Sequence, residues 1–206
     1  MKKILIAVLC MCTVLSGCSG GGNRSGIFAK EGISPYELSE EQQELLSAFG
    51  MTDTSKLFSF SAPKEAITVE VNAYRLTDSG TWEQTGNGAM SIGTEREPVS
   101  RLSGTIAMEQ RENYCMDFHI SCAGQGSFST EEITLEETPL GSTKSYLEEF
   151  LSIGLNQEIP VAVMVYDSGT EMKSYTPQDY FEPSVFQGMD LVQVVTVLFS
   201  EKGIGE

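Results

Sequence analysis

A segment near the middle of the chain carries the side chains best suited to nucleophilic chemistry. In residues 114–121, Cys115, Asp117 and His119 alternate with apolar residues, so a β-strand would place all three on one face. A thiol activated by an imidazole needs the two groups within hydrogen-bond distance. Residues four apart on a strand have α-carbons about 13 Å apart, which is too far. The pattern therefore favours a polar strand face over a thiol active site.

Other catalytic chemistry finds little support in the sequence. His119 is the only histidine, which excludes a metal site built from several histidines. No CxxC, HExxH, phosphate-loop or calcium-loop motif occurs. With 29 acidic residues, some carboxylate pair will lie at a glycosidase-like separation by chance. We therefore predict no catalytic residue, no metal and no cofactor, and keep a cell-envelope hydrolase with a carboxylate site as the alternative function.

The beginning of the chain has the parts of an export signal. Two lysines precede an apolar run, residues 4–15, that is too short to span a bilayer. The motif LSGC follows and ends at Cys18. It resembles the lipobox of bacterial lipoproteins, a resemblance that covers about the first 18 residues. The resemblance implies cleavage before Cys18, lipid attachment to its sulfur, and an exported protein anchored to a bacterial membrane.

The residues after Cys18 predict a spacer between the anchor and a folded domain. The stretch SGGGNRSG is rich in glycine and serine, which keep a chain flexible. Two or three acyl chains, each contributing about 0.8 kcal/mol per buried methylene, would hold the protein at the membrane. We predict a signal peptide over residues 1–17, the lipidated cysteine and tether over 18–33, and a single β-rich domain over 34–206.

Net charge limits the partners of the mature chain. Loss of residues 1–17 removes two lysines and no acid, which leaves 11 basic and 29 acidic side chains and a net charge of −18. Nucleic acid is excluded as a partner, because its recognition needs clustered lysine and arginine. The same charge repels anionic lipid headgroups, so the predicted membrane contact is made by the lipid anchor. Solubility explains this charge more simply than a specific cation or basic-peptide site.

The cysteines predict a fold without a disulfide. Cys10 and Cys12 would leave with the signal and Cys18 would carry lipid, so only Cys115 and Cys122 remain. On one extended strand their α-carbons would be about 23 Å apart, far beyond the reach of a disulfide. We predict two free thiols.

Alternating patterns predict a mainly β fold, an antiparallel β-sandwich or barrel-like domain with one or two short helices. The sequence EAITVEVNA has apolar residues on one face only, and GNG at residues 86–88 predicts a hairpin turn. An edge strand is expected at 131–139. The last strand, residues 189–200, is apolar on both faces, which predicts a central position with a second sheet on one side and a helix on the other.

Two segments predict helices. Ser39 and Gln42 have the spacing of a capping box, and Gly50 supplies a stop. Leu45, Leu46 and Phe49 are expected to form the buried stripe of this first helix. A second short helix is expected within residues 142–154, and the residues expected to face inward are Leu147, Phe150 and Leu151.

Aromatic residues identify the best candidate recognition surface. Trp82 alternates with polar neighbours and is expected to point into the core. The loop 174–186 is rich in aromatic residues and prolines, and Tyr175, Tyr180 and Phe181 are its predicted contact residues. The sequence therefore favours a membrane-anchored binding or accessory module whose partner is an envelope protein or glycan.

Overall fold

The computed structural model describes residues 30–93, 101–170 and 173–206. Ten strands form two five-stranded antiparallel sheets that pack face to face, with one α-helix and three short 3₁₀ turns. This confirms the prediction of a mainly β, sandwich-type fold. The predicted signal peptide, Cys18 and most of the predicted tether lie outside the described residues.

The first sheet has the order β1-β2-β5-β6-β7 and the second has the order β4-β3-β10-β9-β8. The strands of the first sheet are β1 (Gly32–Pro35), β2 (Ser55–Ser61), β5 (Ser103–Gln110), β6 (Met116–Ser121) and β7 (Gln125–Ser129). Those of the second are β3 (Thr68–Leu76), β4 (Trp82–Ser91), β8 (Gly141–Tyr146), β9 (Ile159–Asp167) and β10 (Leu191–Ser200). Helix α1 spans Glu40–Ala48 and the 3₁₀ turns span Glu112–Tyr114, Pro177–Phe181 and Pro183–Phe186.

The main core lies between the sheets and follows the period of two that the sequence shows. Val69 and Val71 of β3 face Phe118 of β6 and its neighbours, and all three are fully buried. Phe60 of β2 and Phe199 of β10 join the sheets, with ring centroids 5.3 Å apart. Such aromatic pairs bury large apolar areas and dominate the energetics of a sandwich core.

Strand β10 lies at the centre of the second sheet, between β3 and β9, as its two apolar faces predict. Val195 and Val197 pack into the main core, whereas Val192 and Val194 pack outward against a second apolar cluster. Residues 173–189 cover that outer face. The prediction of cover on both sides is confirmed, although the outer layer consists of 3₁₀ turns and not of an α-helix.

Strand register defines two ends of the sandwich. Gly32 lies opposite Ser61, so the chain enters the fold where β2 ends, and we call this the entry end. Ser55 at the start of β2 lies opposite Glu109 near the end of β5. We call that opposite end the distal end. Helix α1 precedes β2 there, and the β5–β6 connection starts there.

The first helix begins as predicted but lacks its predicted buried stripe. Ser39 and Gln42 form a capping box at the N-terminus of α1. No residue of α1 is buried, and Leu45 and Phe49 are 58% and 71% exposed. The two sheets cover each other's apolar inner faces, so the apolar residues of α1 have no uncovered apolar sheet face to pack against.

The predicted second helix is wrong, because residues 141–146 form the edge strand β8. This strand pairs antiparallel with β9, with Thr143 opposite Val165, and the free edge of β9 outweighs the local helical pattern. Of the residues expected to face inward, Phe150 is 45% exposed. Leu147 and Leu151 pack against the main core from an irregular segment.

The predicted edge strand at 131–139 is also wrong, since β7 forms that edge of the first sheet. After β7 the chain turns away from the edge and is held by the Ile133 N–H, which donates to the Asn113 carbonyl at 2.9 Å. The tether prediction needs a smaller correction. Strand β1 begins at Gly32, and the fully buried Ile33 belongs to the core, so the predicted boundary after residue 33 lies inside β1.

The predicted hairpin at residues 86–88 is wrong, because these residues lie inside β4. Their glycines serve a close approach and not a turn. A Cβ on Gly88 would overlap the ring of Phe128, and one on Gly86 would lie 3.0 Å from Thr130 Cγ2. Phe128 needs this space to stack on Phe118, with ring centroids 4.6 Å apart.

Candidate functional site

The polar face of β6 does not assemble a thiol site. The Cys115 thiol donates to the Thr130 carbonyl at 3.2 Å. The Asp117 carboxylate accepts from the Ser129 hydroxyl at 2.7 Å, and His119 is exposed on the outer face of the sheet. None of the hydrogen bonds within residues 30–93, 101–170 and 173–206 joins the thiol to the imidazole. Cys115 and Cys122 are both free thiols.

The three predicted recognition residues have different environments. Tyr175 is only 5% exposed and packs on Phe186, with ring centroids 5.0 Å apart, so it supports the outer layer and offers no contact surface. Tyr180 is half-buried, and Phe181 is 56% exposed. Trp82, expected in the core, packs instead in the outer cluster, and its indole N–H donates to the Tyr180 carbonyl at 3.0 Å.

Glu158 fixes this aromatic surface to the second sheet. Its carboxylate accepts from the hydroxyls of Tyr74 at 2.7 Å and Tyr180 at 3.2 Å. Burial, together with the negative charge of Glu158, raises the pKa of Tyr180 to about 12. The same two causes raise the pKa of Tyr74 well above its usual value. Sequence reasoning missed Glu158, because it comes from a separate segment just before β9.

A cleft of about 1070 Å³ opens at the distal end of the sandwich, and we call it the distal cleft. Phe49 and Met51, which follow α1, line one side, and the β5–β6 connection lines another. Lys144 and Tyr166 of the second sheet also line it. The two sheets and the segment after α1 therefore all contribute to this site.

The β5–β6 connection has an unusual backbone where it borders the distal cleft. Asn113 and Tyr114 are consecutive and both left-handed, with φ of 55° and 58°. Asparagine tolerates this conformation, but for an aromatic residue it costs roughly 1–2 kcal/mol. Strain of this kind persists only where surrounding contacts determine the backbone, and it is concentrated at functional sites.

Tertiary contacts from three directions hold the strained pair. The Asn113 side-chain amide donates to the Glu132 carboxylate at 3.0 Å. The Tyr114 carbonyl accepts from the side chain of Gln193, a buried residue of β10, at 2.9 Å. The Tyr114 ring meets Tyr166 edge to face, with centroids 4.8 Å apart. The amide side chain of Gln193 within a mostly apolar strand is the sequence signal that could have indicated this contact, because a buried amide requires a partner.

The polar groups that line the distal cleft include positively and negatively charged side chains. The Lys144 ammonium donates to the side-chain carbonyl of Gln110, and burial lowers the pKa of Lys144. Arg111 pairs with Glu109 at 2.9 Å. Carboxylate, amide, ammonium and aromatic groups together can bind a polar partner by hydrogen bonds and stacking. Among the described residues that line the cleft, no hydrogen bond links a nucleophile to a base.

The described part of the chain contains no group of three or more His, Cys, Asp or Glu residues that could hold a metal ion. Within the same residues, no helix is long and apolar enough to cross a membrane. Comparison with family models, curated proteins and solved structures finds no match for this chain. Function must therefore be argued from the residues and their geometry.

Proposed function

We propose that the protein is a lipid-anchored binding module of the bacterial cell envelope, and that it binds an envelope partner in the distal cleft. The observation that carries this proposal is the pair of left-handed residues, Asn113 and Tyr114, beside the cleft. A chain that needed this connection only as a link between β5 and β6 could use glycine there at no steric cost. The tyrosine ring is instead kept at the cleft despite the strain.

The position of the cleft suits display from a membrane. The LSGC motif supports lipid attachment at Cys18, and Cys18 precedes Lys30 by 12 residues. The chain then enters β1 at the entry end, whereas the cleft opens at the distal end. An anchor on this side leaves the cleft at the end of the domain opposite to the tether. Tethering also raises the local concentration of the cleft near partners in the same envelope, so modest affinity suffices.

The hydrolase alternative gains no specific support from the geometry. Asp117 is engaged by Ser129 and lies 3.5 Å from Arg111, and Glu132 accepts from Asn113. These carboxylates have structural partners. Binding is the function that the arrangement supports best.

The test combines localisation with partner capture. Cys18→Ala should abolish acylation and release the chain from the membrane fraction, as intact mass and fractionation would show.

Tyr114→Gly removes the ring and relaxes the backbone. The relief of roughly 1–2 kcal/mol of strain offsets part of the lost ring contact of about 0.5–1.5 kcal/mol and of the lost apolar burial, so circular dichroism first verifies that the variant is folded. Capture from envelope extracts, measured by quantitative mass spectrometry, should fall at least about tenfold, a loss of about 1.4 kcal/mol.

Asn156→Gly is the matched control. Asn156 is also left-handed, with φ of 55°, but it does not line the distal cleft. The control should retain the same proteins or glycans as the wild type. Full capture by a folded Tyr114→Gly variant would contradict the proposed binding site. An unlipidated wild-type chain with a different N-terminus would contradict the proposed anchor.

A further inference from the structure

A second concavity lies on the outer side of the second sheet, between the β3–β4 turn and the end of the outer layer. Its volume is about 460 Å³, within the range of small-molecule sites of about 300–1000 Å³. Residues 76–80 line one side, and residues 183–184 and 186–190 line the other, together with Val192. We call it the hairpin pocket. It shares no lining residue with the distal cleft.

The hairpin pocket combines an apolar surface with negatively charged carboxylates. Leu76, Pro183 and Met189 are partly exposed and supply apolar surface, whereas Phe186 and Val192 are almost fully buried. Asp78 and Asp190 are both exposed and also line the pocket, which has no lysine, arginine or histidine in its lining. Within residues 30–93, 101–170 and 173–206, no lysine or arginine forms an ion pair with these carboxylates.

Both walls are fixed by hydrogen bonds within the protein. In the β3–β4 turn, the Thr77 hydroxyl donates to the Thr81 carbonyl at 2.9 Å, and the Gly80 N–H donates to the Thr77 carbonyl at 2.9 Å. On the other side, the Asp190 carboxylate accepts from the Ser168 N–H at 2.6 Å. A preformed pocket avoids part of the ordering free energy that binding otherwise costs.

We propose that the hairpin pocket binds a small organic ammonium ion with an apolar body. The apolar body would pack on Leu76 and Met189, and the ammonium group would lie beside Asp78 and Asp190. An anion is repelled by the two carboxylates, and a neutral ligand leaves them without a counterion. This inference concerns a second site and does not depend on the partner proposed for the distal cleft.

The test uses three probes that share a phenyl ring and differ in charge: phenethylamine, 2-phenylethanol and phenylacetate. Each is titrated at neutral pH into the purified full chain, and the amide resonances of Gly80 and Gly188 report occupancy by NMR. Phenethylamine should bind at least about tenfold more tightly than 2-phenylethanol, since a hydrogen bond to a charged group contributes about 1.5–3 kcal/mol. Phenylacetate should give no saturable shift.

Charge-neutral variants test whether the carboxylates of Asp78 and Asp190 bind the ammonium group. Asp190→Asn keeps an oxygen acceptor for the Ser168 N–H, so the wall should remain folded. Asp78→Asn and Asp190→Asn should each weaken phenethylamine binding by about three- to tenfold. The control is Asp53→Asn, an exposed aspartate that does not line the hairpin pocket. It should change the affinity less than about twofold, because exposed charges at a distance are screened by salt.

Three results would overturn this inference. One is equal binding of phenethylamine and 2-phenylethanol, which would show that charge is not recognised. Another is an equal loss in the Asp53→Asn control, which would reduce the effect to general attraction by an acidic protein. The third is the absence of saturable shifts at Gly80 and Gly188. Each of these results leaves partner capture by the distal cleft unaffected, so the two proposals fail separately.

Discussion

The outer faces of the two sheets have opposite characters. On the first sheet, the outer side of β6 carries Asp117 and His119, with His119 exposed beside Ser127 of β7. On the second sheet, the outer side of β9 and β10 carries valines that are fully buried beneath residues 173–189. The outer face of the first sheet is therefore polar along β6, whereas the outer face of the second sheet supports an additional apolar layer.

This difference shows that the alternation of apolar and polar residues along a strand determines how many of its faces need a packing partner. Strand β6 alternates strictly, so only one face needs a neighbour. Strand β10 does not alternate, so each face needs one. The extra layer also places Tyr180 and Phe181 on the second sheet and forms one wall of the hairpin pocket. The hairpin pocket therefore lies where the fold has a third layer, whereas the distal cleft lies at the end of the sandwich.

The largest expected effect comes from removing the centre of that layer. Phe186 is 1% exposed and contacts Trp82 and Tyr175. Phe186→Ala should lower the free energy of unfolding by about 3–5 kcal/mol, because it removes apolar burial and leaves a cavity. His119→Ala on the first sheet should change it by less than about 0.5 kcal/mol. Urea unfolding of both variants measures this contrast.

Two probes make the same experiment sharper. Trp82 is the only tryptophan and lies in the outer cluster, so its fluorescence reports that layer, whereas far-ultraviolet circular dichroism reports the strands. Coincident transitions are expected if the layer belongs to the cooperative core. A loss below about 1 kcal/mol for Phe186→Ala would show instead that the layer is a dispensable cover.

Much of the fold could be predicted from local patterns, and the failures have a common cause. The strand period predicted the inner faces of β3 and β6, and the apolar β10 predicted its central position. The errors at β8 and at residues 86–88 arose from pairing between distant segments. Nothing near Gly88 indicates that Phe128 must pass over it, and nothing near Thr143 indicates the free edge of β9.

The candidate sites were harder to predict for the same reason. The aromatic loop was identified from composition, but the burial of Tyr175 depends on Phe186 and Met189 packing around it. The distal cleft combines the segment after α1, the β5–β6 connection and the second sheet, which are far apart in sequence. The left-handed backbone at Tyr114 could not be predicted, because a tyrosine after an asparagine gives no such signal.

A smaller effect on the free energy of unfolding is expected at alkaline pH, and it arises from tyrosines on the outer face of the second sheet. The pKa of Tyr180 is raised to about 12, so the folded state binds this proton more tightly than the unfolded state does. The resulting stabilisation is complete below the usual tyrosine pKa of about 10 and is lost as pH rises from there towards 12. Tyr74, whose pKa is raised in the same direction, adds to the loss.

Glu158→Gln tests the cause of this alkaline loss. Its negative charge is one of the factors that raise the pKa of Tyr180, so removing it should move that pKa back towards the usual range. The decline of stability above pH 10 should become shallower, as urea unfolding at a series of pH values would measure. Glu70→Gln on β3 is the control and should keep the wild-type decline. An unchanged decline in Glu158→Gln would assign the effect to burial alone.

The smallest expected effect concerns two exposed ion pairs, one on each sheet. Asp117 lies 3.5 Å from Arg111 on the first sheet, and Glu83 lies 2.5 Å from Arg75 on the second. The arginines are 54% and 40% exposed, so each pair should contribute at most about 0.5–1 kcal/mol and weaken with salt. Asp117→Asn and Glu83→Gln should therefore have similar, small effects on the urea midpoint. A loss above about 2 kcal/mol for Asp117→Asn alone would mean that the outer face of β6 is desolvated, since breaking a buried pair costs several kcal/mol. The contrast between an open polar face and a covered apolar face would then no longer hold.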